Sequence, residues 1–164
     1  MPKLRCLVCL GLLAAAPAGL AQTGTPSITA ASPEPLRTSF KDLAGFPIPD
    51  SLYNAKPGHV IGYIPKRVRE LDGKRVALTG FMLPVTLHNH QVTAFLLMRT
   101  QNTCCFGIAP LLNEVVEVTR MEAPARILMD TPITVVGRLH VRERWGSGFL
   151  CSIYQLDEEQ ITQE

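Results

Sequence analysis

Five stretches of the chain alternate apolar and polar positions, or run apolar between turn residues: "RVALTGFMLPV" (Arg75 to Val85), "QVTAFLLMR" (Gln91 to Arg99), "EVVEVTR" (Glu114 to Arg120), "PITVVGRLHVRE" (Pro132 to Glu143) and "GFLCSIYQLDE" (Gly148 to Glu158). Each is rich in β-branched or aromatic residues, and "HNH" and "RWGSG" make hairpin-like breaks, so the pattern predicts five strands. Helical spacing occurs in "IPKRVRELDGK", where Pro65 suits a first turn, Val68 and Leu71 share a face and Gly73 is a stop. That segment holds one or two turns. Gly80 and Gly137 sit inside strand patterns, where glycine marks a bulge or the sharp coiling that a small closed sheet requires. The expected fold is mainly β: a small five-stranded OB-like barrel with one short helix. Strand count alone leaves an open β-sandwich as the alternative.

The barrel domain is expected over residues 58–164. Ahead of it, residues 38–57 carry scattered anchors (Phe40, Leu43, Phe46, Ile48, Leu52, Tyr53) among three prolines, which predicts a short helix and an extended strap packed on the barrel. Residues 22–37, rich in Thr, Ser, Ala and Pro, have too few large apolar groups to offset the entropy of ordering and are expected to form a flexible leader. Residues 1–21 run from Lys3 and Arg5 through an apolar stretch to Gly19, Leu20 and Ala21, the pattern of a cleaved signal peptide. The apolar run is broken by Pro17 and falls short of the ~20 residues a spanning helix needs, so no stable membrane span is expected after processing. Export places the mature chain in the periplasm, where disulfides form.

Removal of Lys3 and Arg5 from the 16 basic residues leaves 14, against 14 acidic ones. A formally neutral, exported chain lacks the electrostatic footprint for nucleic acid. Of the 5 cysteines, Cys6 and Cys9 leave with the signal, and Cys104, Cys105 and Cys151 remain. With an odd count, at least one thiol is free, metal-bound or paired to another molecule.

"RTQNTCCFGIAP" places Cys104 beside Cys105. A bond between neighbours is strained, because adjacent α-carbons lie about 3.8 Å apart and ordinary disulfides begin near ~4.4 Å. Such a bond is labile, and it implies a thiol-redox protein in which Cys104 attacks and Cys105 resolves. A bridge from Cys105 to Cys151 instead closes about 46 residues and contributes about 3–4 kcal/mol as a structural staple. In the third reading the two thiolates converge on a soft ion, Zn or Cu, with Met82 as a further donor. Phe106, Gly107, Asn113 and Glu114 are then supporting residues that hold the loop's path. His88 and His90, two apart, are weak surface metal candidates: on an extended backbone their rings share a side. Ser147 in "WGSGF" lacks the spacing of a nucleophile elbow, and no catalytic constellation emerges.

The runs "IPKRVRELDGKRVALTGFMLPV", "VTAFLLMRTQNTCCFGIAPLLNEVVEV", "TPITVVGRLHVRE" and "SIYQLDEE" together resemble the exported bacterial family known as domain of unknown function 3299, over about Gly58 to Glu158. "GFMLP", "CCFG" and "NE" are the specific pieces. The resemblance implies an exported OB-like barrel with no assigned reaction, a non-catalytic binding or accessory protein of an ABC-type transport or metal-homeostasis system. Its partner would be an inner-membrane transporter component or another exported protein. Val115 stands where the resemblance implies an aromatic residue, and Cys151 where it implies an aliphatic one. Cys151 is accordingly expected to fill core volume.

Overall fold

The computed structural model describes residues 33–102 and 110–163. Among them lie the strands β1 (Leu36–Thr38), β2 (Arg75–His88), β3 (Gln91–Met98), β4 (Val115–Arg120), β5 (Ile133–Gly146) and β6 (Phe149–Gln163), and the short helices α1 (Phe40–Ala44) and α2 (Lys66–Arg69). Single 3₁₀ turns occupy Asp50–Asn54, Ile61–Tyr63 and Leu112–Glu114. The described residues make one compact unit.

β2 to β6 are the five expected strands, and β1 is an addition. Leu36, Arg37 and Thr38 pair in parallel with Val76, Ala77 and Leu78, so the end of the expected leader belongs to the sheet. Three residues between Pro35 and Ser39 are too few to show a period.

The ladders run β2–β3–β4–β6–β5, and β5 pairs back onto β2. All these pairs are antiparallel except β4 with β6, which run parallel. β2 serves two ladders in succession: Arg75 to Gly80 pair with β5, and Phe81 to His88 with β3. The changeover falls at Gly80, where a Cβ would stand 2.6 Å from the Met98 carbonyl oxygen and 2.8 Å from the Phe40 ring. Gly137 marks a register shift between β5 and β6, and a Cβ there would overlap the Asp157 carbonyl oxygen. Both glycines therefore permit backbone approaches that no side chain allows.

α2 begins after Pro65, buries Val68 and is followed by Gly73 at φ +73. Gly73 N–H then donates to the Leu139 carbonyl at 2.7 Å, which joins the helix exit to β5. The core gathers Val76, Leu78, Met82, Phe95, Leu97, Val116, Val118, Leu139, Ile153, Tyr154 and Leu156, with Phe40, Leu43 and Leu52 entering it from the strap and Val60 and Ile64 from the segment that follows. Fully burying each such side chain stabilises the fold by about 1.5–3 kcal/mol. Tyr154 hydroxyl donates to the Leu43 carbonyl at 2.9 Å, so the strap is also fastened by a buried hydrogen bond.

Candidate functional site

The segment carrying the cysteine pair leaves the sheet between β3 and β4. Met98 lies opposite Val115 in that ladder. Pairing continues one step further, since Arg99 N–H donates to the Glu114 carbonyl at 3.1 Å and Arg99 Nη1 to Glu114 Oε1 at 2.8 Å. This half-exposed ion pair contributes little energy by itself, about 0.2–1 kcal/mol. Its effect is geometric: residues 100 and 113 start and finish beside one another.

Asn113, 2 % exposed, donates through Nδ2 to the carbonyls of Phe46 at 2.7 Å and Ala44 at 3.4 Å. Its Oδ1 is buried and receives no hydrogen bond among the described residues. Asn113 and Glu114 thus stand at the root of the loop, tied to α1 and to Arg99. Cys104, Cys105, Phe106 and Gly107 lie outside the described residues.

Met82 is 2 % exposed, faces the hydrophobic core and pairs with Leu97 on β3. His88 closes β2 opposite Gln91, and Asn89 and His90 form the turn with φ +49 and +63. Two successive positive values are the signature of a tight hairpin turn, in which the backbone is curled. The hairpin break expected at "HNH" is present, so the extended backbone on which the two rings would share a side is not the one His88 and His90 adopt. No three His, Cys, Asp or Glu side chains among the described residues are grouped to hold a metal. His140 Nε2 instead lies 3.0 Å from Asp157 Oδ2, a pairing within the sheet.

Cys151 is exposed and its thiol is free, which corrects its expected place as a core filler. The reason is local: β5 shifts register on both sides of Arg144 where it pairs with β6. Leu150 and Ser152 are consequently the buried residues, and Phe149 and Cys151 the exposed ones.

Cys151 lines a cleft of about 230 Å³ with Val85, Leu96, Thr119, Glu117 and Arg144. Glu117 is 8 % exposed although it carries a carboxylate. Its Oε2 accepts from Arg144 Nε and, at 2.9 Å, from the Ser152 hydroxyl. Ser152 in turn accepts from Gln155 Nε2 at 2.8 Å, and Gln155 Oε1 accepts from Arg142 Nε at 2.8 Å. The network satisfies a buried charge that would be costly alone. It leaves Glu117 Oε1 and the outer nitrogens of half-exposed Arg144 directed to no described partner.

The family model for proteins of unknown function DUF3299 matches residues 61–163, a span that contains β2 to β6. The chain belongs to the DUF3299 family. A crystal structure of a DUF3299 family protein from Pseudomonas aeruginosa is similar to it, at 22% identity and a TM-score of 0.57, over 80% of this chain and 97% of the other. At that identity the likeness speaks for the fold alone. No curated protein matches the chain.

In this DUF3299 chain, Val115 is 9 % exposed and opens β4 against Met98, where it contributes packing to the sheet. Glu117, Arg144 and Ser152 were not singled out by the pattern of the sequence. One signal was present: Glu117 interrupts the otherwise apolar "VVEV", an acidic residue where the sheet is covered.

Proposed function

We propose that this DUF3299 protein is a non-catalytic accessory or binding module of the periplasm, an OB-like barrel whose Cys104/Cys105 loop captures Zn or Cu or docks a transport partner. The closed sequence of ladders, with its single parallel pair between β4 and β6, supports the OB-like reading. The observation that carries the functional reading is the root of the loop, where Arg99, Asn113 and Glu114 gather the chain ends by hydrogen bonds to one another and to α1. A root held in this way fixes where the chain leaves β3 and where it re-enters β4. The described residues offer no metal cluster of their own, so a metal would take its thiolate ligands from Cys104 and Cys105. Thiolates favour Zn(II) and Cu(I).

The test is anaerobic titration of the mature chain with Zn(II) and with Cu(I), beside a Cys104→Ser/Cys105→Ser variant. Stoichiometric binding that disappears in the variant supports a metal site. Equal binding by both proteins, or none by either, removes it, and the loop is then examined by crosslinking to exported transport components.

A further inference from the structure

The cleft lined by Glu117 and Arg144 of the polar network has a chemistry that the cysteine loop does not account for. It brings together three unlike groups: the exposed thiol of Cys151, the guanidinium of Arg144 and the nearly buried carboxylate of Glu117. Arg144 lines the cleft, spends its Nε on Glu117 and leaves its terminal nitrogens without a partner among the described residues, a donor fork suited to a carboxylate. Glu117 spends Oε2 on Arg144 and Ser152 and keeps Oε1 as an acceptor suited to an ammonium. Val85, Ala94 and Leu96 give the cleft an apolar wall, and its volume of about 230 Å³ admits an amino-acid-sized group. The complementary ligand carries a carboxylate, an ammonium and a sulfur on a short stem.

We propose that this cleft binds a small zwitterionic disulfide of the cystine class and takes half of it onto Cys151 as a mixed disulfide. In the reaction the Cys151 thiolate attacks one sulfur of the bound disulfide. The new Cys151 S–S bond forms as the ligand's S–S bond breaks, and the departing half leaves as a thiolate that takes up the proton Cys151 released. Cys151 is oxidised to the disulfide level and the departing half is reduced to a thiol. An electron balance is thus reached with the ligand as the only oxidant. Arg144 and Glu117 orient the retained half and do not enter the exchange.

The experiment uses the full mature chain carrying Cys104→Ser and Cys105→Ser, so Cys151 is its one reactive thiol and the outcome is independent of the loop's function. Adduct formation is followed by intact mass with cystine and with hydroxyethyl disulfide, which has the same S–S bond and no charge. Cystine is expected to react about tenfold faster, the ratio that one net charge-assisted contact provides, and Arg144→Gln is expected to abolish the preference. Because Arg144→Gln leaves Glu117 without its ion-pair partner and can unfold the chain, a second measurement is made on the parent. There S-methylcysteine, a zwitterion with no exchangeable sulfur, is expected to slow the hydroxyethyl disulfide reaction. Equal rates for the two disulfides, or no protection by S-methylcysteine, overturn the proposal. So does a Cys105 to Cys151 bridge found by peptide mapping of the unsubstituted protein.

Discussion

Glu143 is the residue through which the segment entering the sheet is coupled to pH. Its Oε2 accepts from Gly58 N–H at 2.7 Å and from Trp145 Nε1 at 2.9 Å, and its Oε1 accepts from Ile61 N–H at 2.7 Å. A carboxylate on β5 thereby holds two backbone amides more than 80 residues away in sequence. Burial opposes its ionisation, but the hydrogen bonds from Gly58, Ile61 and Trp145, with the Val60 amide nearby, outweigh burial and hold the carboxyl below its ordinary value of 4.5. A group with a depressed folded value adds stability above its unfolded value, and that stability is lost as pH falls through the folded one. Hydrogen bonds to charged groups contribute about 1.5–3 kcal/mol each, and three that share one side chain and face partial solvent sum to less than three independent ones. Glu143→Ala is expected to cost about 2–4 kcal/mol at pH 7, a fall in melting temperature of roughly 6–15 °C for a unit of this size. Glu143→Gln keeps an acceptor and loses the charge, for about half that cost. Thermal unfolding followed by circular dichroism from pH 7 to pH 3 checks both. The gap between wild type and Glu143→Gln is expected to be constant above pH 5.5 and to close below 4.5. A gap that is negligible at pH 7, or that does not narrow on acidification, refutes the reasoning.

Glu158 supplies the opposite sign: burial first, then the charges of Glu122 and Glu159, raise its carboxyl against one hydrogen bond from the Glu122 N–H. A raised carboxyl weakens the fold as pH rises through its folded value, so Glu158→Gln is expected to raise the melting temperature at pH 7 and to be neutral near pH 4. Gly80→Ala is expected to cost about 1–3 kcal/mol by urea unfolding, because its methyl would press on the Met98 carbonyl and the Phe40 ring. Tyr154→Phe leaves the buried Leu43 carbonyl without its donor, and a loss of about 1–2 kcal/mol in the same assay is expected.

Alternation and turn residues located β2 to β6, because a covered sheet face imposes period two on the apolar positions. They stopped short of three strand ends. Thr86 to His88, Arg144 to Gly146 and Glu159 to Gln163 continue their ladders with one apolar residue each, Leu87, Trp145 and Ile161, too few to show a period. The hairpins themselves were legible, since Ser147 and Gly148 adopt the positive φ that "GSG" invites. A core place for Cys151 is implied only by the family resemblance, since alternation does not decide its side: register shifts around Arg144 set which residues face inward, and a shift of one position leaves no mark in composition. The cleft was illegible because Glu117, Arg144 and Cys151 come from three strands and meet only once the sheet has formed.

The loop root has an evolutionary corollary. A detour whose entrance and exit are clasped to each other by Arg99 and Glu114 can change in length and wording while the strands on either side keep their partners. Lengthening such a detour twofold adds only about 0.6 kcal/mol of closure entropy. The frame therefore tolerates turnover of its cargo, and a foreign peptide spliced between Thr100 and Leu112 should be displayed at the same address.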